Sequence, residues 1–148
     1  LHWAITQQTA AEIIYNRANS NKQNMGLTTW KNAPGGAIRK PDVSVAKNYL
    51  NEQELDNLNR IVSMYLDYAE MQANNRKIMY MKDWVSRLDA FLQFNEKEIL
   101  THSGKVTAEI AKAFAEAEFD KFRVIEDQNY ESDFDKLLKQ LKKGGDNE

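Results

Sequence analysis

Apolar residues recur at steps of three and four along most of the chain, the spacing of one face of a helix. The clearest run lies between Asp42 and Ala73, where Leu55, Leu58, Val62, Tyr65 and Ala69 form a single stripe. A helix start is written just ahead of it. Asn51 can cap with its side-chain oxygen, Glu54 can reach back to the Asn51 amide, and Leu50 and Leu55 occupy the flanking staple positions. The pattern predicts a helix from Asn51 to about Ala73. Before it, Pro41-Asp42 opens a shorter helix, with Asp42 as cap and Val43, Ala46, Tyr49 and Leu50 as its buried side.

The remaining elements follow by the same logic. Thr9 and Glu12 form a second capping box, and Ile13, Ile14 and Ala18 give the helix behind it a modest apolar face to about Ser20. Arg17 lies on that helix four residues after Ile13, a position where an arginine pairs with a carboxylate or a carbonyl. Asn19 to Asn24 and Asn74 to Lys77 read as polar turns, and Ile78, Met79 and Tyr80 as a cover for the end of the bundle. A third long element runs from about Met81 to Leu100, with Trp84, Leu88, Phe91, Leu92 and Ile99 inward and Ser103-Gly104 as its stop. The next, Val106 to about Gln128, has the stripe Val106, Ile110, Phe114, Ala117 and Ile125, with Phe122 adjoining. Ser132 starts a last short helix carrying Phe134, Leu137, Leu138 and Leu141 on one face, and the tail KKGGDNE is expected to fray. Trp84, Leu88 and Phe91 are expected to pack on Leu58, Val62 and Tyr65, with Phe114 joining them.

No segment alternates with period two long enough for a strand. The fold class is all-α: an antiparallel bundle of three long helices with shorter packed helices, one domain spanning residues 1–148. The exception to helical periodicity is Gly26 to Pro41, GLTTWKNAPGGAIRKP. Irregular stretches of that length inside compact domains are uncommon and tend to carry function. Pro34-Gly35-Gly36 marks a turn, while Leu27, Trp30 and Ile38 can pin the stretch to the body. It is not a P-loop, since the strand and the Lys-Ser/Thr ending are missing.

Composition changes this picture in three places. With 42% apolar and 28% charged residues the chain is an ordinary globular domain, and the cytoplasm is the expected compartment. The absence of cysteine rules out disulfides, thiolate metal sites and thiol catalysis. Charge is uneven: between Asn16 and Leu50 six cations face the single acid Asp42, giving +5 and leaving −7 for the remainder. A short basic segment on an acidic body marks a candidate anion-binding surface, made of Arg17, Lys31, Arg39, Lys40 and Lys47, with Trp30 as its candidate pocket or surface aromatic.

Candidate chemistry is thinner. The only histidines are His2 and His102, and Glu98 with His102 is a lone pair four residues apart, so no metal and no cofactor is expected. Asp67 and Glu70 share a helix face, and Asp83, Asp89 and Glu96 follow on the next helix. Such acids serve general acid–base work only where burial shifts them, and solvated faces and ion pairs are their ordinary use. No catalytic residue is assigned.

Long blocks of sequence point to a family. LHWAIT, TAAEIIYNRA, MGLTTWK, DVSVAKNYLNEQEL, LNRIVSMYLDYAE, DWVSRLDAFLQFN and FRVIEDQNYESDFDK, in this order, resemble the RhuM family of bacterial virulence-associated proteins. The resemblance implies a two-part protein, in which an N-terminal region similar to phage-type DNA-binding or antirepressor modules precedes a helical C-terminal region. This chain is similar to the C-terminal region, and its start at Leu1 fits a fragment of a longer polypeptide. The family offers no catalytic residues to carry over, and the His-Pro-Phe loop of Fic-type enzymes is absent.

Two functional readings follow. In the first, the chain is an accessory domain, regulatory or oligomerising, of a DNA-binding-type protein. Its partners are then its own N-terminal region and a second copy, with weak or no DNA binding of its own and no membrane. In the second, it is an enzyme acting on a nucleotide or nucleic acid through a basic cleft. Arg17, Arg39, Lys40 and Lys47 would hold phosphate there, and Asp42 or Glu70 would move a proton.

Overall fold

A computed structural model describes residues 1–129 and 133–145. Among them the fold is all-helical and without strands. Six α-helices follow in order: α1 (His2–Thr6), α2 (Ala10–Arg17), α3 (Glu52–Asn74), α4 (Met81–Phe94), α5 (Ala108–Asn129) and α6 (Asp133–Gly145). Three 3₁₀ turns, Gln23–Gly26, Lys40–Ser44 and Ala46–Tyr49, fill the span between α2 and α3.

Both capping boxes form as written in the sequence. Thr9 Oγ1 accepts the Glu12 N–H at 3.2 Å while Glu12 accepts the Thr9 N–H at 3.3 Å. At α3 the Asn51 side chain accepts the Glu54 N–H at 2.8 Å and Glu54 Oε1 accepts the Asn51 N–H at 3.0 Å. The second box is joined to α2 by Arg17. Its guanidinium donates to Glu54 Oε1 at 2.7 Å, to Glu54 Oε2 at 2.9 Å and to the Tyr49 carbonyl at 3.0 Å. The expected carboxylate and carbonyl partners are thus both present. α2 stops at Arg17, short of Ser20: Ala18 leaves the helical region at ψ 121°, and in the turn beyond it the Asn19 side chain accepts the Asn21 N–H.

Two cores hold the elements together. The larger gathers Ile13 and Ile14 of α2, Met25, Leu27, Val43, Tyr49 and Leu50 of the irregular span, Leu58 of α3, and Ala111, Ala115, Phe119 and Phe122 of α5. α5 packs most closely on α2 and on the Lys40–Ser44 turn, and alanine at 111 and 115 permits that approach. The smaller core joins Ala4 of α1, Ile61 of α3 and Leu92 of α4, with Leu88 and Phe91 against them. Ile5 touches both cores. Between α3 and α4, Tyr65 lies edge-on to Trp84 at 6.2 Å, meets Phe91 at 5.6 Å and donates its hydroxyl to the Trp84 carbonyl.

Several expectations are corrected. Phe114 does not join Trp84 and Phe91; it packs on the larger core and meets the Tyr15 ring at 4.7 Å. α4 ends at Phe94 rather than Leu100. Glu96 adopts φ of 60° with its N–H on the Gln93 carbonyl, and the Lys97 N–H bonds Leu92, a Schellman end without glycine. α3 ends in the same way through Arg76 at φ 53° and Lys77 on Gln72. Gly104 is therefore not a helix stop. It sits at φ 82° against Thr9 and Glu12, where a Cβ would approach Thr9 Cγ2 to 2.7 Å.

The buried face of α5 is Ala111, Ala115, Glu118, Phe119 and Phe122, while Ile110 is exposed and Ala117 lies outward. Ile78 and Tyr80, expected to cover the bundle, are largely exposed, as are Leu137, Leu138 and Leu141 of α6. α6 extends through Lys142 to Gly145, the first part of the polar tail. The expected start at Ser132 and the end of the tail lie outside the described residues, as does the side chain of Phe134.

Two predictions follow from the packing. Leu92 is 4% exposed, whereas Phe91 is only half-buried. Leu92→Ala should cost about 2–5 kcal/mol, and Phe91→Ala less than that despite its larger side chain. Denaturant unfolding of the two variants checks the order, and a larger loss for Phe91→Ala would return Phe91 to the centre of the core.

The second concerns acid. Hydrogen bonding to Arg17, seconded by the Asn51 amide, holds the Glu54 carboxyl below its usual value. The Ser20 amide and Lys121 do the same for Glu118. A depressed carboxyl contributes stability that is complete above its unfolded pKa and is lost as pH falls through the folded one. Stability should therefore drop below about pH 4.3, the unperturbed glutamate value. In Glu54→Gln and Glu118→Gln that drop should be shallower when midpoints are compared between pH 6 and pH 3, and an unchanged slope would contradict the assignment.

Candidate functional site

The irregular span after α2 is built around one carboxylate. Asp42, 8% exposed, accepts the Arg39 N–H on Oδ2 at 2.8 Å and the Lys31 N–H on Oδ1 at 3.3 Å. It therefore closes the loop 31–39 at its neck. Asp42 is not the helix cap that the sequence suggested. Arg39 holds that position, and Asp42 is the third residue of a 3₁₀ turn that breaks at Val45 before the next begins. Within the loop, Trp30 Nε1 donates to the Gly36 carbonyl at 2.8 Å, and the Gly36 N–H returns to Asn32. Trp30 is half-buried and rests on the larger core, so it braces the loop from beneath.

The two 3₁₀ turns carry the loop. Asn48 Nδ2 donates to the Asp42 carbonyl at 3.0 Å, and the Tyr49 hydroxyl donates to Val43 at 2.6 Å. Burial pushes the Tyr49 phenol far up from its usual value, which keeps it a donor. Thr28 ties the start of the loop to the carbonyls of Asn48 and Leu50.

This frame sorts the candidate cations into two groups. Arg17 is consumed by Glu54 and Tyr49 and takes its place in the structure as a brace. Lys31 and Arg39 leave the neck from neighbouring backbone positions, because one carboxylate binds both amides. Lys40 follows Arg39 directly, and Lys47 lies on the turn that Asn48 fastens to Asp42. All four are exposed. The geometry presents a basic edge to solvent, braced beneath by the hydrogen bonds of Asp42, Trp30, Asn48 and Tyr49.

The acids considered for proton transfer do not gather at this edge. Asp42 is occupied by backbone amides, Asp67, Glu70 and Asp89 are exposed on α3 and α4, and Asp83 accepts the Tyr80 N–H at the start of α4. Glu98 and His102 lie beyond the end of α4, so their spacing by four does not align them on a helix. His102 meets the edge of the Trp3 ring at 4.8 Å and accepts the Gly104 N–H on Nδ1. Among the described residues no three metal-ligating side chains cluster. No described helix is long and apolar enough to cross a membrane.

A second feature was not legible in the sequence. An open groove of about 560 Å³ runs between the turn after α2 and the outer side of α5, lined by Ala18, Asn19, Phe114, Lys121, Val124 and Ile125. At its floor, buried Glu118 accepts the Ser20 N–H at 2.7 Å and Lys121 Nζ at 3.3 Å. Ser20 and Glu118 lie 98 residues apart, so no local spacing announces the pair.

Nothing among curated proteins matches the chain, and no solved structure matches it. A family model does: the model described as "Virulence protein RhuM family" covers residues 1–131 of the 148. That span takes in both cores, the Asp42-closed loop and all of α5, and on it the chain belongs to the RhuM family of virulence proteins.

Proposed function

We propose that the chain is an accessory domain, regulatory or oligomerising, of a DNA-binding-type RhuM protein of the bacterial cytoplasm. Specific DNA recognition then lies in a separate N-terminal region. The observation that carries this reading is the division of labour among the basic residues. Arg17 is spent, as is the acid Asp42, on holding the fold, while Lys31, Arg39, Lys40 and Lys47 are exposed on a braced edge and form no ion pair among the described residues. A surface of that kind touches phosphate and orients a neighbour, and it holds no acid placed for turnover. The helices α3, α4 and α5 form the antiparallel frame behind it in this reading. Family membership supports the virulence association.

Four cations bind duplex DNA weakly. Affinity for any duplex should lie near the non-specific limit of about 10⁻⁴ M or weaker, with a log–log salt slope no steeper than about −4. Titration of the chain against duplexes of two sequences at two salt concentrations measures both quantities. The double variant Arg39→Glu with Lys40→Glu should flatten the slope further. Tight, sequence-selective binding would overturn the accessory reading. Nucleotide turnover that disappears in Arg39→Ala or Lys47→Ala would establish an enzyme in its place.

A further inference from the structure

α5 carries two apolar stripes, and only the inner one is fully buried; of the outer one, Phe114 alone rests on the larger core. The inner stripe runs through Ala111, Ala115, Phe119 and Phe122 and is buried. The outer stripe, Ile110, Phe114, Ala117, Val124 and Ile125, is displaced from it by about one residue and keeps the same helical spacing. Ile110 and Val124 are 55% and 56% exposed, and Phe114 and Ile125 line the groove beside the turn after α2. A helix face meant for water is polar throughout, whereas on this one exposed Lys121 is set among apolar side chains.

α6 has the complementary face. Leu137, Leu138 and Leu141 share one side of the helix and are 51%, 45% and 65% exposed. The helix carries four lysines against two aspartates, while α5 carries six acids against three bases. The dimensions agree as well. Thirteen residues of α6 span about 20 Å, and the outer stripe from Ile110 to Ile125 spans about 22 Å.

We infer that the occupant of the α5 groove is α6 of a second copy of this chain, exchanged reciprocally in a two-fold dimer. Leu137, Leu138 and Leu141 of one copy lie on Phe114, Val124 and Ile125 of the other, and Lys136, Lys142 and Lys143 face the acids of α5. A two-fold arrangement buries each stripe and each α6 face at once. An anionic membrane surface would cover the basic α6 and repel the acidic α5, so it leaves half of the exposed apolar surface unexplained. The inference deepens the accessory reading by naming its partner, and its test contains no DNA. A failed dimer therefore leaves the basic edge to its own titration.

Sedimentation velocity of the full chain up to about 100 µM, above the micromolar affinities that standard interfaces provide, reads the outcome directly. The wild-type chain should sediment as two copies. Val124→Glu and Leu141→Glu should each sediment as one, with unchanged helical circular dichroism and a thermal midpoint that no longer rises with protein concentration. An equimolar mixture of the two variants should associate again, because one α6–α5 contact is intact in the mixed pair. A wild-type chain that stays single throughout overturns the inference, as does a dimer that survives both substitutions. A mixture that fails to associate does the same. Flotation with phosphatidylglycerol vesicles that is lost in Leu141→Glu, from a chain that sediments as one copy, assigns α6 to a membrane surface instead.

Discussion

The Arg17 fork fixes how the first third of the molecule meets the rest. One guanidinium closes two bonds on Glu54 and one on the Tyr49 carbonyl, so the end of α2, the last 3₁₀ turn and the first turn of α3 share a single side chain. Glu54 is also half of the α3 capping box, and the residue that starts the long helix is thereby the residue that docks it. The pair is only modestly exposed, at 29% and 17%, which leaves the interaction stronger than a surface ion pair. The backbone of Arg17 is used as well. Gly26, at φ 90°, passes so close to the Arg17 carbonyl that a Cβ there would collide with its oxygen. Asn24 and Met25 adopt positive φ on the way, a strained path held by complete burial of Met25.

With α2 and α3 locked at their ends, the 23 residues between Gly26 and Leu50 stay in place with only two short 3₁₀ turns. Asp42 supplies what a strand or helix would have supplied, hydrogen bonds for backbone amides that face inward. The electrostatic consequence is functional. Four cations against one acid leave this span at +3, and that charge is not neutralised locally, since its only carboxylate is turned toward amides and Lys31, Arg39, Lys40 and Lys47 are exposed. A basic edge without an ion-pair partner among the described residues therefore sits on a chain of overall charge −2.

Much of this was legible in the residues, and the failures have physical causes. Capping boxes are local and chemically specific, so Thr9–Glu12 and Asn51–Glu54 placed two helix starts correctly, and Arg17 beside an apolar position announced its need for a partner. The end of α3 was read to within a residue, because the polar run Asn74 to Lys77 marks it, whereas α4 stops on a Schellman turn at Glu96 that a stop rule built on glycine passes over. α1 is five residues long, too short for any periodicity to show. The stripe read on α5 is a real apolar face, but a helix with two such faces does not say which one the core takes. Small Ala111 and Ala115 won the inner position because they let α2 come close. Of the candidate site, the cations were legible from composition, whereas the role of Asp42 depends on Lys31, eleven residues away, and could not be read from spacing.

The account rests on Arg17 and Glu54 acting as one unit, and a double-mutant cycle measures that directly. Denaturant unfolding of Arg17→Met, Glu54→Gln and the pair should give a coupling energy of about 1–3 kcal/mol, as expected for groups in one hydrogen-bonded network. Amide exchange at the start of α3 should quicken in both single variants. Single-variant losses that add to within about 0.3–0.5 kcal/mol, the behaviour of independent sites, would contradict the claim that this fork ties α2 to α3.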